Sequence, residues 1–169
     1  IKNVLASSGT SLTKEQIILI KRLTPNIVVL FDGDQAGLSA SLRSIDMILE
    51  EGLNVKICSF PEGDDPDSYV RKNKKEKMLE FINNQSKDFV DFKLNINKDF
   101  IDDEDKKVSI IRDILKSISL IPDTLKQEIY IKKLSAVLEI DVSSLYRSFS
   151  NIGISKSLKS STKTLYNSK

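Results

Sequence analysis

This chain of 169 residues contains no histidine and no tryptophan, and only one cysteine. Without histidine there is no Ser-His or Cys-His catalysis and no ordinary His-containing zinc site. Any metal must be held by oxygen, which favours magnesium, manganese or calcium. The single Cys58 excludes an internal disulfide and fits a reducing cytosol. It sits in the strand-like run Val55-Lys56-Ile57-Cys58-Ser59-Phe60, where it reads as a packing residue rather than a nucleophile. No apolar run approaches the roughly 20 residues of a membrane span, and no signal peptide opens the chain. An initiator methionine is also missing, so the chain reads as a fragment that starts inside a larger protein. The net charge of +2 implies no partner by itself, but no acidic residue follows Asp141.

What is present is acidic and well placed. The apolar run Ile27-Val28-Val29-Leu30-Phe31 reads as a buried parallel strand, and Asp32-Gly33-Asp34 stands at its exit. Open α/β sheets bind ligands at the carboxyl ends of their strands. Close carboxylates repel one another and are costly to desolvate, and a divalent cation is the commonest compensation. A second cluster, Asp64-Asp65-Pro66-Asp67, follows the next strand.

The surrounding pattern alternates strand and helix through residue 60. Val4-Leu5-Ala6 is a short strand candidate leading into a loop. Thr13 and Gln16 form a capping box for a helix that Pro25 stops. A helix over about 35–51 carries Leu38, Leu42, Ile45 and Leu49 on one stripe and ends at Gly52. A strand over about 53–60 completes a βαβαβ succession, which predicts a parallel sheet. From Pro66 the strand signal stops. Asp65 can cap a helix that begins at Pro66, and helices follow over about 66–73, 75–98, 103–120, 123–138 and 142–150. Val108, Ile111, Ile114, Leu115 and Ile118, then Leu125, Ile129, Leu134 and Leu138, read as core stripes of a small bundle. Residues 151–169 are rich in Ser, Thr and Lys and read as a flexible basic linker or tail.

Competing readings of the acidic constellation differ in what they require. An EF-hand needs an oxygen ligand at its fifth position and Glu at its twelfth, where Ala36 and Arg43 stand, so that reading fails. An Asp-Gly hairpin turn needs a following strand, but a helix follows. Plain helix capping by Asp34 or Asp65 is compatible with metal binding. Carboxylates from neighbouring strand ends suit two-metal phosphoryl transfer. One ion acidifies a 3′-hydroxyl and the other neutralises the triphosphate and leaving pyrophosphate.

Three blocks carry a specific resemblance. They are Val4-Leu5-Ala6-Ser7-Ser8-Gly9-Thr10-Ser11-Leu12-Thr13, Phe31-Asp32-Gly33-Asp34-Gln35-Ala36-Gly37, and Phe60-Pro61-Glu62-Gly63-Asp64-Asp65-Pro66-Asp67-Ser68-Tyr69. In this order and spacing they resemble the TOPRIM domain of bacterial DnaG-type primases. The resemblance implies an α/β TOPRIM fold with a partial parallel sheet over 1–73, lacking its first strand and glutamate motif. An all-α helical subdomain over 74–150 and the tail over 151–169 would follow.

The resemblance also implies chemistry: Asp32 and Asp34 as catalytic residues and metal ligands, Asp65 and Asp67 as further ligands, and Asp64 as supporting charge. The implied cofactor is Mg2+ or Mn2+, with zinc confined to an amino-terminal module outside this chain. Implied partners are a single-stranded DNA template, ribonucleoside triphosphates, and a replicative helicase met through a carboxy-terminal domain, also outside the chain. No membrane is involved, and the setting is the bacterial cytoplasm at the replisome.

The rivals are another TOPRIM enzyme, such as a topoisomerase or nuclease, or a non-catalytic scaffold module. A topoisomerase needs a tyrosine nucleophile, and Tyr69, Tyr130, Tyr146 and Tyr166 lie on expected helices or in the tail. Because the family glutamate is absent, residues 1–169 alone are not expected to make primers. Full activity of this chain in a primer-synthesis assay would contradict the reading.

Overall fold

The computed structural model describes residues 3–6, 12–31, 35–61, 63–73 and 75–152, with the side chains of 35–41 and 75 left out. The chain forms two compact units, Ile1–Asn95 and Ile96–Lys169. In the first, helix α1 (Lys14–Lys21) opens on the expected capping box: Thr13 Oγ1 accepts from Gln16 N at 3.3 Å, and Gln16 Oε1 accepts from Thr13 N at 2.9 Å. Ile17 and Ile20 point into the core. Strand β1 (Asn26–Phe31) leads to helix α2 (Gln35–Glu50) and strand β2 (Asn54–Ser59). Gly52 takes the left-handed conformation at φ 79° that reverses the chain between α2 and β2. Lys14 and Lys21 both pair with Glu51, at 3.5 and 3.6 Å, and so fasten α1 beside the end of α2.

The two strands run parallel in full register, from Asn26 opposite Asn54 to Phe31 opposite Ser59. Main-chain bonds extend the pairing at both ends: Asn54 N donates to Pro25 O at 2.8 Å, and Phe60 N donates to Phe31 O at 3.1 Å. Val55, Ile57, Cys58 and Phe60 are buried, and burial raises the Cys58 thiol above its ordinary pKa, as a packing residue requires.

Three expectations change in this unit. Residues 4–6 form no strand; Val4 and Leu5 are 57% and 70% exposed, and no ladder partner reaches them among the described residues. The sheet is mixed rather than wholly parallel, because a two-residue strand, β3 (Lys87–Asp88), pairs antiparallel with β2. The single helix expected over 75–98 is therefore broken. Helix α4 (Lys75–Gln85) stops where Ser86 Oγ donates back to Ile82 O, and helix α5 (Phe89–Ile96) starts afresh on Asp88. Asp88 Oδ1 accepts from Val90 N and Asp91 N at 2.9 and 3.1 Å, an N-cap that ends one element and begins the next. Lys93 on α5 is buried and lies 3.8 Å from Asp46 on α2. Motif content sets the sequence boundary at residue 73, and the compact unit described by its packing runs to Asn95, with α4 and β3 beside β2 and Lys93 of α5 near Asp46 of α2.

The second unit is an antiparallel helical hairpin with a closing helix. Asp103 caps α6 (Glu104–Ile118), Asp123 caps α7 (Thr124–Leu138), and Asp141 caps α8 over 142–152. Ile114, Leu115, Ile118, Ile121, Ile131, Leu134 and Leu145 are buried. The α7 core stripe differs from the sequence expectation: Leu125 and Ile129 are 64% and 57% exposed, while Ile131 and Leu134 are sealed. Apolar residues stand on two sides of this helix, and the packing against α6 selects only one. Val108 is likewise 45% exposed. The expected tail lies, from residue 153, outside the described residues.

No described helix is long and apolar enough to cross a membrane. Two truncations on α7 test its packing. Leu134→Ala should cost about 2–5 kcal/mol in denaturant unfolding, because it leaves a cavity. Leu125→Ala should stay within about 0.5 kcal/mol of wild type, as an exposed position does.

Candidate active site at the carboxyl edge of the sheet

Parallel pairing puts the ends of β1 and β2 side by side. Phe31 is the last residue of β1 and lies opposite Ser59, the last of β2. Asp32 follows Phe31 in the chain, and Asp64 comes four residues after Phe60. Both acidic segments therefore leave the same edge of the sheet. Asp32, Gly33 and Asp34 themselves lie outside the described residues.

The second segment is built around helix α3 (Pro66–Lys72). Asp65 caps it: Asp65 Oδ1 accepts from Ser68 N at 2.6 Å, and Asp65 N donates to Ser68 Oγ at 2.9 Å. Pro66 at the first position loses nothing by lacking an N–H. The backbone N–H of Ser68, assisted by its hydroxyl, holds the Asp65 carboxyl below the usual carboxylate range. Asp64 Oδ1 accepts from Lys72 Nζ at 2.5 Å and Ser68 Oγ at 3.1 Å, and the Lys72 ammonium is the main cause of its lowered pKa. Asp67 pairs with Arg71 one turn later at 2.8 Å, with both side chains more than two-thirds exposed.

These contacts divide the carboxylates by availability. Asp64 is committed to Lys72 and is largely covered. Capping engages only one Asp65 oxygen, and a carboxylate offers two, with about four lone-pair sites. The Asp67–Arg71 pair is a surface pair of small net worth, so Asp67 can exchange its partner at little cost. Asp65 and Asp67 thus retain hard oxygen donors of the kind magnesium and manganese take. Among the described residues no group of three or more metal-capable side chains comes together.

Three features of the site go beyond the sequence expectations. Phe60, Tyr69 and Phe81 form an aromatic trio, with centroids 5.5, 5.4 and 4.7 Å apart, that fixes α3 and α4 beside the exit of β2. Lys72 lies eight residues from the carboxylate it neutralises, a separation that no short motif encodes. Ser68 reciprocates the cap at the third helical position, which its place after Asp65-Pro66 could have suggested.

Comparison with known proteins bears on the fold as a whole. A family described as Toprim-like matches residues 1–70, and one described as the DnaB-helicase binding domain of primase matches residues 98–143. The DNA primase of Clostridium acetobutylicum is 35% identical over 148 residues, covering 86% of this chain and 24% of that protein. The DNA primase of Listeria monocytogenes is 32% identical over 167 residues, covering 97% of this chain and 26% of that protein. The chain therefore spans about a quarter of the length of the curated relatives it matches. Among solved structures, the Aquifex aeolicus primase (zinc-binding and RNA polymerase domains) superposes with a TM-score of 0.70 at 25% identity, covering 85% of this chain and 34% of that one. A DnaG primase catalytic domain bound to single-stranded DNA gives 0.68 at 31% identity, covering 82% and 45%. The segment matching the helicase-binding family lies within this chain, whereas the sequence expectation put helicase contact in a domain outside it.

The cap has a pH signature. Because the folded pKa of Asp65 is lowered, its contribution to stability is complete above the ordinary carboxylate pKa of about 3.9 and disappears as the pH falls through the folded value. Asp65→Ala should therefore lower the thermal midpoint at pH 7, and the gap to wild type should close as the pH is taken below about 4. A gap of constant size across that range would show that the carboxylate does not cap α3.

Proposed function

We propose that this chain, a relative of the bacterial DnaG-type DNA primases, carries the metal-binding edge of a primer-synthesising nucleotidyltransferase. The carrying observation is the registered pairing of β1 with β2, which sends two acidic segments out of one sheet edge. Asp32 and Asp34 are the direct ligands and catalytic carboxylates, and Asp65 and Asp67 complete the set. The fit rests on donor chemistry: there is no histidine, the single cysteine is buried, and carboxylate oxygens remain at the edge. Bound magnesium or manganese would supply charge neutralisation at a triphosphate and a more acidic attacking hydroxyl.

The chain's own residues prepare this edge. The Ser68 N–H and hydroxyl keep Asp65 ionised and fix its orientation at the head of α3. Arg71 holds Asp67 until a stronger cation displaces it. Lys72 offsets the charge of the ionised Asp64, which limits the repulsion between three acids in four residues. The aromatic trio anchors α3, so that the carboxylates meet a ligand at little reorganisation cost. In the intact protein the substrates are ribonucleoside triphosphates on a single-stranded DNA template, and the unit matched over 98–143 meets the replicative helicase.

One observation favours a second reading, a TOPRIM scaffold without catalysis: Asp64, Asp65 and Asp67 all have structural partners. Titration with Mn2+, followed by calorimetry, separates the two. The catalytic reading expects binding that weakens at least ten-fold in Asp32→Ala with Asp34→Ala while the circular dichroism spectrum is unchanged. Equal affinity in the variant would sink it.

A further inference from the structure

Helix α3 ends on two basic residues, and they pair with carboxylates in unlike surroundings. Arg71 meets Asp67 one turn back, where both side chains are open to water. Lys72 reaches further. It is the last residue of α3, yet its ammonium returns to Asp64, which precedes the N-cap, at 2.5 Å. A helix of this length is about 10 Å long, so the lysine stem runs back along much of it. Holding so flexible and strongly hydrated a side chain in one direction costs entropy. No other polar partner of Lys72 appears among the described residues. The Asp64 side chain is 16% exposed, and the oxygen that meets Lys72 also accepts from Ser68 Oγ. Two donors thus set the direction of the Asp64 carboxyl, while capping engages one Asp65 oxygen and Asp67 stays in the open.

We infer that Lys72 is a positioning residue that selects the ligands of this edge: it withholds Asp64 and leaves Asp65 and Asp67 to a divalent cation. The inference rests on reading Asp65 and Asp67 as metal ligands. Donor chemistry alone cannot separate the three residues, because magnesium and manganese take any carboxylate oxygen within reach. What separates them is the partner each already has. An ammonium and a metal ion compete for the same Asp64 oxygen, and the ammonium is held in place by the chain. Charge-assisted hydrogen bonds are the strong ones, and a largely covered pair is screened less than the exposed Asp67–Arg71 pair. The consequence is a limit on negative charge at the edge. Each further carboxylate tightens the hold on a cation and lowers the positive charge left to act on a triphosphate.

A double-mutant cycle on Mn2+ affinity, measured by calorimetry on the full chain, tests this without any activity readout. The four proteins are wild type, Lys72→Met, Asp64→Asn and the double variant, with thermal melting as the check on folding. Lys72→Gln repeats the cycle with a milder change, and Lys72→Arg keeps the charge and the pairing. Lys72→Met is expected to bind Mn2+ more tightly than wild type, and Lys72→Arg to stay within two-fold of it. The deciding quantity is the cost of Asp64→Asn, which should be at least ten-fold larger in the Lys72→Met background than in the wild-type one. Charge acting through space alone gives the same cost in both backgrounds, and that result in both cycles would overturn the inference. Asp65→Asn separates the two levels of the account. If it weakens Mn2+ binding while the cycle is additive, the metal edge stands and the role of Lys72 falls. If it leaves the affinity at the wild-type value, the reading of the edge fails and takes the inference with it.

Discussion

The in-register parallel pairing of β1 with β2 is the constraint on which the sheet unit depends. Six residue pairs, from Asn26–Asn54 to Phe31–Ser59, fix where each strand ends. A slip of one residue would turn Val55 and Ile57 outward and bring charged Lys56 into the core. Register therefore links burial to function: the pairing that seals Ile57 and Cys58 also aligns the exits of the two strands. The proposed site would add little structural cost. Asp65 begins a helix whatever else it binds, and the aromatic trio that fixes α3 is part of the same core.

Charge management is the second theme of the edge. Three acids within four residues repel, and each is handled differently: Asp64 by a lysine, Asp65 by backbone N–H groups, and Asp67 by an exposed arginine. The order of commitment runs from Asp64, the most covered, to Asp67, the most exposed. A cation arriving at the edge would meet the least committed oxygens first. The helical unit follows another logic, with Asp103, Asp123 and Asp141 each placed just before a helix as a cap.

Local signals in the sequence were read well because they act over three or four residues. The Thr13–Gln16 box, the Asp65–Pro66 start and the turn at Gly52 all appear where spacing and stereochemistry put them. Features set by distant partners were not legible. The strand Lys87–Asp88 is too short and polar to show a period, and Asp88 looked like one more residue of a long helix. On α7 the apolar residues suggested a stripe through Leu125 and Ile129, but the neighbouring helix buried the side with Ile131 and Leu134 instead. At the second acidic segment, the Asp65 cap followed from local spacing, whereas the Lys72 and aromatic contacts around it did not. The break between the compact units depends on packing of α4 and α5 that no local pattern records.

The central claim is that the Asp32 segment and the Asp65 segment serve one divalent cation. Paramagnetic broadening of backbone amide signals by substoichiometric Mn2+ tests it most directly, because it reports proximity without altering a residue. The account predicts that amides flanking Asp32 and Asp34 broaden together with those of Asp65 to Ser68 at the same Mn2+ ratio, and recover on adding excess Mg2+. Broadening restricted to one segment, or none at either, would contradict it.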